Sequence, residues 1–261
     1  MTVHDYSQLN TAISVKEQSF LSRTNLVQLL NAVDDEQLAL YLEGTPYSVP
    51  LAEIRQHDVL DQTIMKAADY DFAYQQCPDP NLVNVFGLKY VYHNLKLFLK
   101  MRAIGRDLSH LLIPIGPYPL EALKYLSLTL ESDLCDPLIV EEVAQTWSED
   151  KDYENTVAID MGMDSAYFRH LRVIADQSDF PLLQELVDAK IDFFNAIPAL
   201  RALAQDEPNS FAYQLMSRKG TKRPKEMLHL AKDGQLASWF NAFNALPYTK
   251  VFDSYVQAMQ S

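Results

Sequence analysis

The sequence predicts an all-α fold. Apolar residues recur with a period near 3.6, runs of β-branched residues are short and rare, and glycine is scarce. Seven glycines in 261 residues is about 3%, against a usual share of about 7%. A glycine inside a helix costs about 1 kcal/mol relative to alanine, so scarcity suits helices. Sandwiches, barrels and nucleotide-binding α/β folds need more glycine for hairpins and phosphate loops. A chain this long buries roughly three quarters of its unfolded surface and needs no disulfide or metal to fold. Cys77 and Cys135 stand apart, form no paired motif, and read as reduced thiols.

The elements follow in order. Leu26, Leu29, Leu30 and Val33 fall on one helical face. Asp34-Asp35 offers an N-cap to a second helix bearing Leu38, Tyr41 and Leu42. Gly44-Thr45-Pro46-Tyr47 ends it, because proline biases its predecessor away from helix. Residues 51–76 read as one longer helix. Cys77-Pro78-Asp79-Pro80 breaks it and starts another, with Asp79 as N-cap and Pro80 at the first helical position. That helix runs to about 104 and is apolar on most of its circumference. Leu82, Phe86, Tyr90, His93 and Leu97 make one stripe, and Leu88, Tyr92, Leu95 and Leu99 a second, so packing on two sides is expected.

The chain also carries an internal repeat with a period of roughly one hundred residues. At an offset of 101, Pro80 meets Pro181, Leu82 meets Leu183, Lys89 meets Lys190, Asn94 meets Asn195 and Lys100 meets Arg201. At 201, Pro46-Tyr47 meets Pro247-Tyr248. Pro119-Leu120-Glu121-Ala122-Leu123 resembles Pro224-Lys225-Glu226-Met227-Leu228, and the tract around Trp147 and Tyr153 stands where the middle Pro-Tyr turn would be. The period predicts repeats at 1–105 and 106–206 and a partial third at 207–261.

Catalytic motifs are not found: no HExxH, GxSxG, Walker loop or GxGxxG. His93 reads as a packed, hydrogen-bonded histidine, and His57 with Asp61 as a solvated pair. No catalytic, cofactor-binding or metal-ligating set is expected. Lys219, Lys222, Arg223 and Lys225 form the one basic cluster, read as a loop around Gly220 and Pro224. The formal charge of −13 opposes nucleic-acid binding. No signal peptide and no apolar run of membrane-spanning length is evident. Lys89, Asn94, Asn195 and Arg201 lie in apolar helices, where an unpaired polar group costs about 1–3 kcal/mol. They are expected to find partners or to line a shared space.

Four segments together resemble a known family: Phe20-Leu21-Ser22-Arg23, Leu42-Glu43-Gly44-Thr45-Pro46-Tyr47, Leu88 through Lys96, and Ile191-Asp192-Phe193-Phe194-Asn195. Their order resembles the C subunit of bacterial and archaeal V-type ATPases, the counterpart of the eukaryotic d subunit. The resemblance implies a catalytically silent protein without a cofactor. Its helical repeats would be arranged around a pseudo-threefold axis. Its partners would be rotor shaft subunits of the D and F type and the membrane proteolipid ring. It would lie at the cytoplasmic face of the membrane, touching lipid only through partners and soluble when isolated. Tyr47, Lys89, Asn94, Lys96, Lys190, Asn195, Arg201 and Tyr248 are carried over as landmark or partner-facing positions. Family chains carry three complete repeats, so the third copy, ending at Ser261, is expected to be shortened. An unrelated helical-repeat scaffold and a helical enzyme with a scattered site are the competing expectations.

Overall fold

The computed structural model describes residues 6–48, 50–56, 60–149, 156–204 and 209–241. All regular structure among them is helical. The chain divides into two compact units. One comprises Met1–Val91 with Ile113–Pro119, the other Tyr92–Leu112 with Leu120–Ser261.

The first unit opens with α1 (Ser7–Glu17), α2 (Arg23–Leu30) and α3 (Asp35–Leu42). Ser22 caps α2 by accepting from the Asn25 N–H at 3.2 Å, while the Asn25 side chain accepts from the Ser22 N–H at 3.1 Å. The Asn31 amide donates back to the Val27 carbonyl at 2.9 Å, so α2 stops and Val33 falls outside it. The stripe expected to run from Leu26 to Val33 is therefore cut short, and Leu30 and Val33 are exposed. Asp34 caps α3 as expected, accepting from the Gln37 N–H at 2.8 Å. Gly44, at φ +74°, then turns the chain through a conformation costly to other residues. Helix is found at α4 (Leu51–Gln56) and α5 (Leu60–Gln76), with residues 57–59, and so His57, outside the described set. Lys16 of α1 pairs with Asp69 of α5.

Helix α6 (Pro80–Ile104) begins where the sequence places it, and the Asp79 carboxylate accepts from the Asn81 N–H at 3.0 Å. Its Leu88, Tyr92, Leu95 and Leu99 stripe is fully buried. The other stripe is uneven: Phe86 is exposed and Leu97 buried.

The second unit continues with a single 3-10 turn (Ser109–Leu111), α7 (Leu120–Thr129), α8 (Pro137–Glu149), α9 (Thr156–Gln177) and α10 (Pro181–Ala204). The shorter α11 (Asn209–Leu215), α12 (Pro224–Lys232) and α13 (Leu236–Asn241) follow. α9 packs between α8 and α10, and α10 in turn carries α11 and α12. Of the tract around Trp147 and Tyr153, where the sequence places a turn, the described part up to Glu149 belongs to α8. No proline interrupts that stretch, and the Trp147 ring lies under the Arg102 guanidinium at 3.9 Å. Tyr153 lies outside the described residues.

Candidate functional site

Among the described residues of the second unit, α9 and α10 carry several polar clusters. On α10, Asp192 and Asn195 are both fully buried. The Asn195 amide donates to the Ser217 carbonyl at 2.8 Å and its oxygen accepts from the Ser217 N–H at 2.7 Å. One side chain thus satisfies both backbone groups of a residue that no helix pairs. One turn earlier, the Asp192 carboxylate accepts from the Thr221 N–H at 2.9 Å and from the Thr221 hydroxyl. Burial pushes its pKa above the ordinary 3.8, and the bonds from Thr221 and Lys222 oppose that push. Both residues pin the segment entering α12. Gly220 is needed there because a Cβ would overlap the Asp192 Oδ1.

The second cluster joins α6 to α9. Lys96 Nζ lies 2.6 Å from Asp164 Oδ1 and 3.7 Å from Asp160, and Lys100 Nζ lies 2.7 Å from Asp160 Oδ2. The lysines and aspartates each recur at i, i+4, so two helices meet along matched charges. Close by, a cavity of about 380 Å³ opens between α9, α10 and α11. Asp160, Asp164 and Arg201 bring charge to its lining, and Phe168 and Phe194 give it an apolar wall.

In the third cluster, Arg169 of α9 grips the buried Glu142 of α8 with two donors, Nε at 2.6 Å and an Nη. Next to it, Tyr92 and His170 meet with the hydroxyl 3.1 Å from Nδ1. Burial holds the His170 pKa below the ordinary 6.5, which favours the neutral ring in its hydrogen bond with the tyrosine hydroxyl.

The landmark positions separate by burial. Asn94 and Asn195 are buried. Lys96 and Lys190 are half-buried, and Lys89 and Arg201 are exposed. Lys89 places its ammonium 4.6 Å from the Tyr90 ring centroid. Tyr47 is half-buried in the turn after α3, its N–H donating to the Thr45 hydroxyl at 3.2 Å. Tyr248 lies outside the described residues. His93 hydrogen-bonds the Leu111 carbonyl at 3.1 Å. Lys225 belongs to the first turn of α12 rather than to the loop, because Pro224 starts that helix.

Sequence reasoning passed over Asp192, Glu142, Arg169 and His170. Asp192 was legible in principle: a carboxylate between Ile191 and Phe193 on an apolar helix requires a partner. Among the described residues no three His, Cys, Asp or Glu side chains gather as a metal site, and no helix is long and apolar enough to cross a membrane.

The chain is similar to the C subunit of the V-type sodium ATPase of Enterococcus hirae, 25% identical over 264 residues that cover 98% of this chain and 78% of the relative. Residues 9–261 match the family described as ATP synthase (C/AC39) subunit. The chain is a member of the ATP synthase (C/AC39) subunit family.

Proposed function

We propose that this chain is a non-catalytic central-stalk subunit of a rotary V-type ATPase or ATP synthase. It links the rotating shaft subunits of the D and F type to the membrane proteolipid ring. It transmits torque for proton or sodium movement from the cytoplasmic face of the membrane, and it touches lipid only through its partners. The family match along residues 9–261 carries this reading, and the sodium ATPase relative agrees with it.

The reading includes the repeat: units at 1–105, 106–206 and 207–261 set around a pseudo-threefold axis. Element positions support it. α6 starts at Pro80 and α10 at Pro181, and the two span 25 and 24 residues. A loop glycine approaches the same register of each helix. A Cβ on Gly116 would come within 2.7 Å of Val91 Cγ2, and one on Gly220 would overlap Asp192, the residue 101 positions after Val91.

The test is purification of the tagged full chain from detergent-extracted membranes of its native host. Co-recovery of the shaft and proteolipid subunits in fixed proportion is expected. Recovery with soluble partners alone would refute the reading and favour a general scaffold.

A further inference from the structure

The function above leaves the basic turn between α11 and α12 without a role. Arg218, Lys219, Lys222, Arg223 and Lys225 place five cations within eight residues of a chain whose net charge is −13. Arg218, Lys219, Arg223 and Lys225 are exposed and Lys222 is half-buried. None of the five forms an ion pair with a carboxylate among the described residues. Like charges at this density repel, and a free loop would spread them apart. Here the backbone that carries them is fixed at two points. Asn195 clamps Ser217 through two bonds, and Asp192 clamps Thr221 through two more. Both clamps are fully buried on α10.

We infer that this turn is a preformed docking surface for a carboxylate-rich segment of a partner polypeptide. Three observations select that partner. First, several of the turn's N–H groups are already committed within the chain. Ser217 donates to Asn195, Lys219 to the Ser217 hydroxyl at 3.2 Å, Thr221 to Asp192, and Arg223 to Glu226 at 3.0 Å. With these donors taken, the turn offers side-chain cations more than a nest of backbone donors of the kind that cradles phosphate. Recognition must come from side-chain cations spread over the turn, which suits carboxylates spaced along a peptide. Second, from Ser217 to Lys225 the turn carries no aromatic or large aliphatic side chain, whereas membrane-surface anchors combine basic residues with such groups. Third, the overall negative charge repels a nucleic-acid backbone. Because α10 fixes the turn before binding, little ordering entropy is lost on contact.

That the partner lies in the same ATPase assembly rests on the function proposed above; the surface does not. The test treats membranes containing the full chain with a carbodiimide, which joins a lysine amine to a carboxylate it touches. Peptides are then identified by mass spectrometry. Isopeptide bonds from Lys219, Lys222 or Lys225 to Asp or Glu of another chain are expected, with yield falling severalfold between low and high salt as the charges are screened. The Lys219→Arg, Lys222→Arg, Lys225→Arg variant should keep its partner and lose these bonds. The matching Gln variant, with Tm checked against wild type, should lower partner retention roughly tenfold, as three weak exposed pairs imply. Lysines that stay open to acetylation, or that are covered without any isopeptide bond, as under lipid, would overturn the inference. A carboxylate partner from outside an ATPase would sink the functional reading while leaving the docking surface standing.

Discussion

Asn195 shows how much one buried amide can hold. Its two bonds to Ser217 satisfy a donor and an acceptor that would otherwise be buried and unpaired. Asn195→Ala should therefore lower unfolding free energy by about 2–4 kcal/mol, read from urea midpoints at constant m-value. Asp192 has a pH signature. Its native pKa is raised above 3.8, so the native state holds the proton more tightly than the unfolded chain. The resulting stability is full below 3.8 and is lost as pH rises through the native value. Asp192→Asn should remove that loss, so the stability difference between variant and wild type should grow from acid toward neutral pH. His170 runs the other way. Its pKa is depressed below 6.5, so stability is full above 6.5 and declines as pH falls toward the native value. His170→Gln should flatten this decline in denaturation curves taken between neutral and mildly acid pH.

Between elements, the bidentate grip of Arg169 on Glu142 joins α8 to α9. Arg169→Ala should cost about 2–3 kcal/mol, less than for a fully buried pair because the guanidinium is partly exposed. Leucine at the same place would test packing without charge. Gly220→Ala should cost about 1–3 kcal/mol through overlap with Asp192, and Tm would report it. Helix identity was legible wherever caps and prolines agreed with periodicity. Asp34, Asp79 and Pro80 act as their sequence positions suggest. Misreadings arose where one side chain overrode the pattern. Asn31 ended α2 before Val33 could join its stripe. The clusters on α9 and α10 were harder to see. Arg169 and Glu142 are 27 residues apart, and Tyr92 and His170 are 78 apart. No local spacing rule links them; only the packing of α6, α8 and α9 does.

Taken over its full length, the chain's scarce glycine and its family match describe a helical member of the ATP synthase (C/AC39) subunit family. Its family was legible through the order of weak motifs along the sequence, as no single motif was specific. Among the described residues, buried Asp192, Asn195, Glu142 and His170 are tied into helix-to-helix and helix-to-turn bonds. Coupling itself can be measured in sealed vesicles containing the ATPase assembly with and without this chain. ATP hydrolysis and ATP-driven ion uptake are followed on the same sample. Omitting the chain should leave hydrolysis by the catalytic sector and abolish ion uptake, and adding the purified chain back should restore uptake. Ion uptake that persists without the chain, at an unchanged ratio to hydrolysis, would show that the chain does not couple the two.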